Sequence, residues 1–223
     1  MKLAFLLYRY FPYGGLQRDA LRVATACAAR GACPEFHVLD WDGPAPAFPV
    51  HRVGARVFTR HARNKALARR ALDLRTDAGV RAVVGFNKLP GLDVYYAADD
   101  CYRARAWGWW RRLTPRARQF LAHEAAVFGP DTDTLALCLT AAEADRYRAA
   151  WHTAPHRLVV LPPAVPVPGA PEPATRTALR ALLRVPGDAP VLLFAGSDFA
   201  RKGLDRALHT LAALPAPLRA RAH

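Results

Sequence analysis

Apolar runs and helically spaced apolar positions alternate along the first two thirds of the chain. Lys2-Leu3-Ala4-Phe5-Leu6-Leu7-Tyr8 is apolar almost throughout, the pattern of a strand buried on both faces, and Arg9 to Gly15 reads as the loop that ends it. From Leu16 the residues Ala20, Val23, Ala24 and Cys27 recur at helical spacing, with Gly31 placed to stop the helix. Strands are expected at Glu35 to Leu39, Val50 to Val53, Val80 to Phe86, Leu92 to Ala98, Leu135 to Leu139 and Leu158 to Leu161. Helices are expected over Phe58 to Asp77, with Leu67, Ala71 and Leu74 inward, over Cys101 to Phe128 with a break near Thr114-Pro115, and over Ala141 to Trp151. Strand and helix in alternation predict a parallel sheet covered on both faces, with ligands at the carboxyl ends of its strands.

Beyond Leu161 the pattern changes. Prolines at 162, 163, 166, 168, 171 and 173 make a stiff connector. A helix from Thr175 to Leu183, a buried strand over Val191 to Ala195 and a helix to about Leu214 follow. The chain thus divides into a Rossmann-like domain over residues 1–162, a Pro-rich hinge over 163–174, and the beginning of a second Rossmann-like domain over 175–223. The fold class is α/β, one complete Rossmann-like domain plus part of another.

Composition narrows the compartment and the partners. The four cysteines show no CxxC pair, which suits a reducing cytoplasm, and no apolar run is long enough to span a bilayer. A soluble or peripheral protein is expected. A net charge of +14 predicts attraction to a polyanion. Lysine occurs only at Lys2, Lys65, Lys88 and Lys202, so arginine supplies most of the 32 cations, as a nucleotide bias would also give.

Two glycine loops carry the candidate chemistry. Gly196 to Gly203 follows the apolar run at Val191 and precedes a helix opening, and Arg201 and Lys202 inside it supply full charges beside backbone N–H groups. An ordinary loop with two solvated cations gives the same local pattern. Gly14-Gly15, between the first strand and first helix, tips the balance toward an anion site. Neither loop has the GxGxxG or GxxxxGK[ST] spacing, so a nicotinamide, flavin or P-loop nucleotide is not expected. Asp19, on the first helical turn, is either a helix-dipole partner or a ligand-binding carboxylate. His123-Glu124 begins a HExxH-like string, but Val127 stands where the second histidine belongs, so no zinc site is expected there.

Phe11-Pro12-Tyr13-Gly14-Gly15-Leu16-Gln17-Arg18-Asp19, the run from Gly85 to Asp99, Leu161-Pro162-Pro163 and Gly196 to Gly203 together resemble the lipopolysaccharide core glucosyltransferases of glycosyltransferase family four, which have the GT-B fold. The resemblance implies a retaining transfer of glucose from UDP-glucose to an inner-core heptose, with no metal and no cofactor besides the donor. It implies that Gly14 and Gly15 approach the donor diphosphate, that Arg201 and Lys202 neutralise it as it leaves, and that the catalytic carboxylates Asp19 and Asp99 face the sugar. It also implies a cytoplasmic enzyme on the inner face of the inner membrane. The family usually has glycine where Ala164 stands, and its members continue through most of a second domain, with a glutamate pair that holds the donor. A chain ending at His223 is therefore expected to bind UDP-glucose poorly and to turn over little.

From Cys101 to His123 there is no acidic residue, and Arg103, Arg105, Arg111 and Arg112 surround Trp107, Trp109 and Trp110. On a helix this reads as a surface-lying anchor for an anionic membrane, or else as a lid whose tryptophans pack on protein. Two other readings compete: a basic nucleic-acid-binding protein, motivated by charge alone, and a gene fragment without activity. The glycine loops and the hinge favour the glycosyltransferase, with no nucleic acid as partner.

Overall fold

A computed structural model describes residues 1–44, 46–54, 60–105, 114–163, 169–170, 172–196 and 199–223, with the backbone alone at 60, 61 and 201. The chain divides into two compact units, Met1–Ala164 and Val165–His223.

The first unit is a seven-stranded parallel sheet. Its strands are β1 (Lys2–Tyr10), β2 (Cys33–Trp41), β3 (Val50–Arg52), β4 (Val80–Gly85), β5 (Val94–Ala97), β6 (Leu135–Cys138) and β7 (Leu158–Val160). They lie in the order β3-β2-β1-β4-β5-β6-β7. The order reverses direction between β1 and β4, and a doubly wound sheet opens a crevice at that point, outside the carboxyl ends of its strands. Helices α1 (Gly15–Ala28), α2 (Arg60–Thr76), α3 (Pro115–Phe128) and α4 (Ala141–Trp151) cover the sheet.

Strand β1 is apolar at almost every position because both of its faces are buried. Leu3, Phe5 and Leu7 meet Ala20 and Ala24 of α1 on one side, where Phe5 packs against Phe36 and Phe86. Ala4 and Leu6 join Leu67, Ala71 and Leu74 of α2 on the other, with Val127 and Phe128 of α3 and Tyr147 of α4 in the same cluster. The helical spacing read from the sequence thus matches the buried face of α2. Gly31 takes the left-handed conformation (φ +83°) as the chain leaves α1. Thr114 caps α3 ahead of Pro115, its hydroxyl accepting from Ala117 N, so the Thr-Pro pair opens a helix.

Two local expectations are corrected. Cys101 to Arg105 is a turn, not a helix: Arg105 N donates three residues back to Tyr102 O, and Tyr102 N and Arg103 N donate to the carboxylate of Glu124. In the second unit, Val191 to Ala195 is not a strand: the described residues there form only helices α5 (Pro173–Leu182), α6 (Phe199–Lys202), α7 (Leu204–Ala213) and α8 (Ala216–Arg221). A lone extended segment needs a neighbouring strand. Leu192 N donates to His223 O and His223 N to Pro190 O, and Leu193 is 88% exposed.

Candidate active site

The carboxyl ends of β1, β4 and β5 surround a cavity of about 550 Å³ at the reversal point of the sheet. Tyr8 enters it from β1, Asn87 and Lys88 from the loop after β4, and Asp99 and Asp100 from the loop after β5. Asn87 accepts a hydrogen bond from Tyr8 N at 2.7 Å, which joins the β1 and β4 ends across the crevice. Burial, and then the charge of Asp99, push the Tyr8 phenol up to about 12, so it stays a hydrogen-bond donor at neutral pH.

Lys88 is paired with a buried carboxylate. Its ammonium meets Glu124 Oε2 at 2.5 Å and donates to Asp100 O at 2.7 Å. The Glu124 carboxylate is fully buried, and it also accepts from Tyr102 N, Arg103 N, Trp151 Nε1 and the Cys101 thiol. Burial works to raise the pKa of Glu124, but the Lys88 charge and these hydrogen bonds bring it below the usual carboxylate value. One carboxylate thus fastens the β4 loop, the turn at Cys101 and the end of α4 to α3. The sequence signal for it was thin: Glu124 is the first acid after an acid-free run and stands before the apolar Ala-Ala-Val-Phe of α3.

Asp19 occupies the second turn of α1, one turn later than expected, and accepts from Tyr96 OH at 3.1 Å. Burial, followed by the charge of Asp19 and this hydrogen bond, raises the Tyr96 phenol to about 12. Asp99 is exposed, and its carbonyl accepts from Tyr147 OH at 2.5 Å. Tyr96 therefore ties α1 to β5, two residues before that strand gives way to the Asp99 loop.

Gly14 and Gly15 differ. A Cβ at Gly14 would lie 1.8 Å from Gln17 Oε1, and the Gln17 amide is occupied in donating to Arg9 O. A Cβ at Gly15 would meet nothing within 4 Å, so the space above the first helical position is open. Helix α1 has no side-chain cap and no acidic residue in its first turn, which leaves its positive end toward that space.

In the second unit Lys202 closes the short helix α6, not a loop as expected, and its stem lies against Gly196, where a Cβ would come within 3.2 Å of Lys202 Cγ. Gly203 follows in the left-handed conformation (φ +80°) and opens α7 without a side-chain cap. The Arg201 side chain lies outside the described atoms. So do Trp107, Trp109, Trp110, Arg111 and Arg112. Of the arginines read as membrane-facing, Arg103 stacks over Trp151 at 4.5 Å and Arg105 lies 3.8 Å from Asp100, both exposed.

Among the described residues, Glu35, His37 and His51 bring metal-type ligand atoms within 4.8 Å of one another on β2 and β3. Two cations already serve this group. Arg70 Nε donates to His37 Nδ1, which leaves the imidazole proton on Nε2 facing Glu35, and Lys2 pairs with the other carboxylate oxygen. Such a set suits a neutral histidine bridging cation and carboxylate better than a metal, which needs Nε2 unprotonated.

No family model matches the chain. It is similar to the lipopolysaccharide glucosyltransferase WaaG of Escherichia coli (strain K12), 39% identical over an alignment 226 positions long that covers 98% of this chain and 60% of that protein. It also superposes on the crystal structure of WaaG, described as a glycosyltransferase involved in lipopolysaccharide biosynthesis, with a TM-score of 0.86 and 37% identity over 99% of this chain and 61% of the other. In sequence and in fold the chain is a relative of WaaG, a GT-B glycosyltransferase, and spans about three fifths of its length.

Proposed function

We propose that the chain belongs to an enzyme that moves glucose from UDP-glucose to a heptose of the lipopolysaccharide inner core with retention of configuration. Residues 1–162 serve as the acceptor domain, and residues 175–223 as part of the donor domain behind the Pro-rich hinge. The observation that carries this reading is the cavity at the reversal point of the sheet, where Tyr8, Asn87, Lys88 and Asp99 meet, in a chain 39% identical to WaaG.

Departure of a nucleoside diphosphate develops negative charge, and groups placed before the event stabilise the transition state more than the ground state. Lys202 and Arg201 supply charge for that purpose, and the open space at Gly15 admits the diphosphate to the amides of α1. Asp19 and Asp99 serve the sugar side, while the leaving phosphate oxygen takes the acceptor proton, so no separate base is required. Neither a metal nor a further cofactor is assigned a role.

Two measurements test the reading. Heptose-terminated core oligosaccharide, titrated into the isotope-labelled chain, is expected to shift the amide signals of Asn87, Lys88 and Asp99; silence there removes the acceptor assignment. Product formed from UDP-glucose at high enzyme concentration is expected to be α-linked, and a β-linked product overturns retention.

A further inference from the structure

Asp99 and Asp100 leave β5 on an exposed loop, yet the backbone oxygens of both are held from inside the protein. Tyr147 OH, from α4, donates to Asp99 O at 2.5 Å, and Lys88 Nζ, from the loop after β4, donates to Asp100 O at 2.7 Å. The two donors are neighbours, the Lys88 ammonium lying 5.1 Å from the centre of the Tyr147 ring. Both are themselves fixed. Glu124 holds Lys88, and the fully buried Tyr147 ring stacks on Phe128 at 3.7 Å with 6° between the planes. Burial above all keeps the Tyr147 phenol far above its usual value, so at neutral pH it retains its proton and donates.

A side chain on an exposed loop is aimed only as well as the scaffold fixes the backbone beneath it. Asp99 and Asp100 both line the cavity at the reversal point of the sheet. Asp100 pairs there with Arg146 at 3.1 Å and Arg105 at 3.8 Å, whereas the charge of Asp99 bears on Tyr8 and helps to raise its phenol. Tyr147 is not one of the lining residues, so any effect it has on a ligand passes through the loop.

We infer that Tyr147 is a positioning residue: its hydroxyl, with Lys88 beside it, fixes the Asp99–Asp100 backbone so that the Asp99 carboxylate is aimed at the sugar in the cavity. The inference rests on the acceptor reading of that cavity and adds to it a residue that never touches the sugar. Small errors in the placement of a group that must meet its ligand at hydrogen-bond distance are costly, and one buried hydrogen bond guards against them here.

The core supplies a matched control. Tyr95 is buried in the same cluster and packs on the same Phe128 ring, edge-on at 5.7 Å, but its hydroxyl has no hydrogen-bond partner among the described residues. Tyr147→Phe and Tyr95→Phe each remove one buried hydroxyl and keep the ring, and only the first releases the loop.

The test compares the 223-residue chain with these two variants by NMR relaxation, and by titration with heptose-terminated core oligosaccharide. In the parent and in Tyr95→Phe the Asp99 and Asp100 amides are expected to show order parameters near the rigid value of about 0.85, with equal affinity for the oligosaccharide. In Tyr147→Phe the order parameters are expected to fall below about 0.6 and the affinity to drop about tenfold, the loss that one hydrogen bond of ordinary strength represents. A loop that stays rigid in Tyr147→Phe, an affinity that does not change when the loop loosens, or an equal loss in Tyr95→Phe overturns the positioning role and leaves the acceptor reading standing. A parent chain that binds no oligosaccharide removes the acceptor reading, and the positioning role with it.

Discussion

At the scale of single residues, Glu124 concentrates more of the site than any residue read from the sequence. It is a fully buried carboxylate whose charge is met by Lys88 and by four further donors. Removing one side of such a pair strands the other, so Glu124→Ala is expected to lower unfolding free energy by about 3–5 kcal/mol, measured by urea denaturation. Its folded pKa lies below the unfolded value, so the stabilisation is complete above the ordinary glutamate pKa of about 4.3 and is lost as pH falls through the lower folded value. Acid titration of Glu124→Gln should accordingly show a shallower loss of stability than the parent below that pH. The two glycines divide in the same way. Gly14→Ala forces Gln17 off Arg9 O and is expected to cost about 1–3 kcal/mol. Gly15→Ala meets open space and should change stability by less than about 0.5 kcal/mol, while weakening UDP binding in calorimetry if the diphosphate approaches there.

At the scale of elements, the sequence announced boundaries where side chains cap their own helix. Thr140 accepts from Glu143 N, and Glu143 reaches back to Leu139 N, so the start of α4 is written in a Thr-x-x-Glu string. Thr140→Ala is expected to destabilise the protein by about 1 kcal/mol, read as a shift of the urea midpoint at constant slope. Elements whose state depends on distant partners were less legible. The turn at Cys101 has a helix-compatible composition and is held by a carboxylate from α3. Val191 to Ala195 has a strand's composition, yet its described backbone partner is His223. Arg157 gave no signal at all, although its buried guanidinium donates to Val127 O and Gly129 O at the end of α3 and to Thr134 O before β6.

At the scale of the whole molecule, burial is distributed unevenly. Two apolar clusters fill both faces of the sheet in Met1–Ala164, whereas Ala189 is the only buried residue among those described in Val165–His223. Hydrogen exchange is therefore expected to be slowest in β1, β4 and β5, reporting global unfolding, and faster by orders of magnitude in α5, α7 and α8. The charge of +14 belongs to this scale too. Partition onto anionic vesicles is expected to exceed partition onto neutral ones and to fall with salt; equal partition would remove the electrostatic basis for membrane attachment. No helix among the described residues is long and apolar enough to cross a membrane.

The amino-acid pattern alone determined the alternation of strand and helix, the double burial of β1, the inward face of α2 and the glycine loop after the first strand. Those properties are local, because a strand or helix declares which of its own positions need covering. Only the tertiary structure decided the strand order, the crevice between β1 and β4, the bond from Tyr96 to Asp19 and the gathering of Lys88, Tyr102, Arg103 and Trp151 on Glu124. A polar side chain in sequence carries no record of which distant donor will satisfy it, and burial forces that choice only once the sheet has assembled.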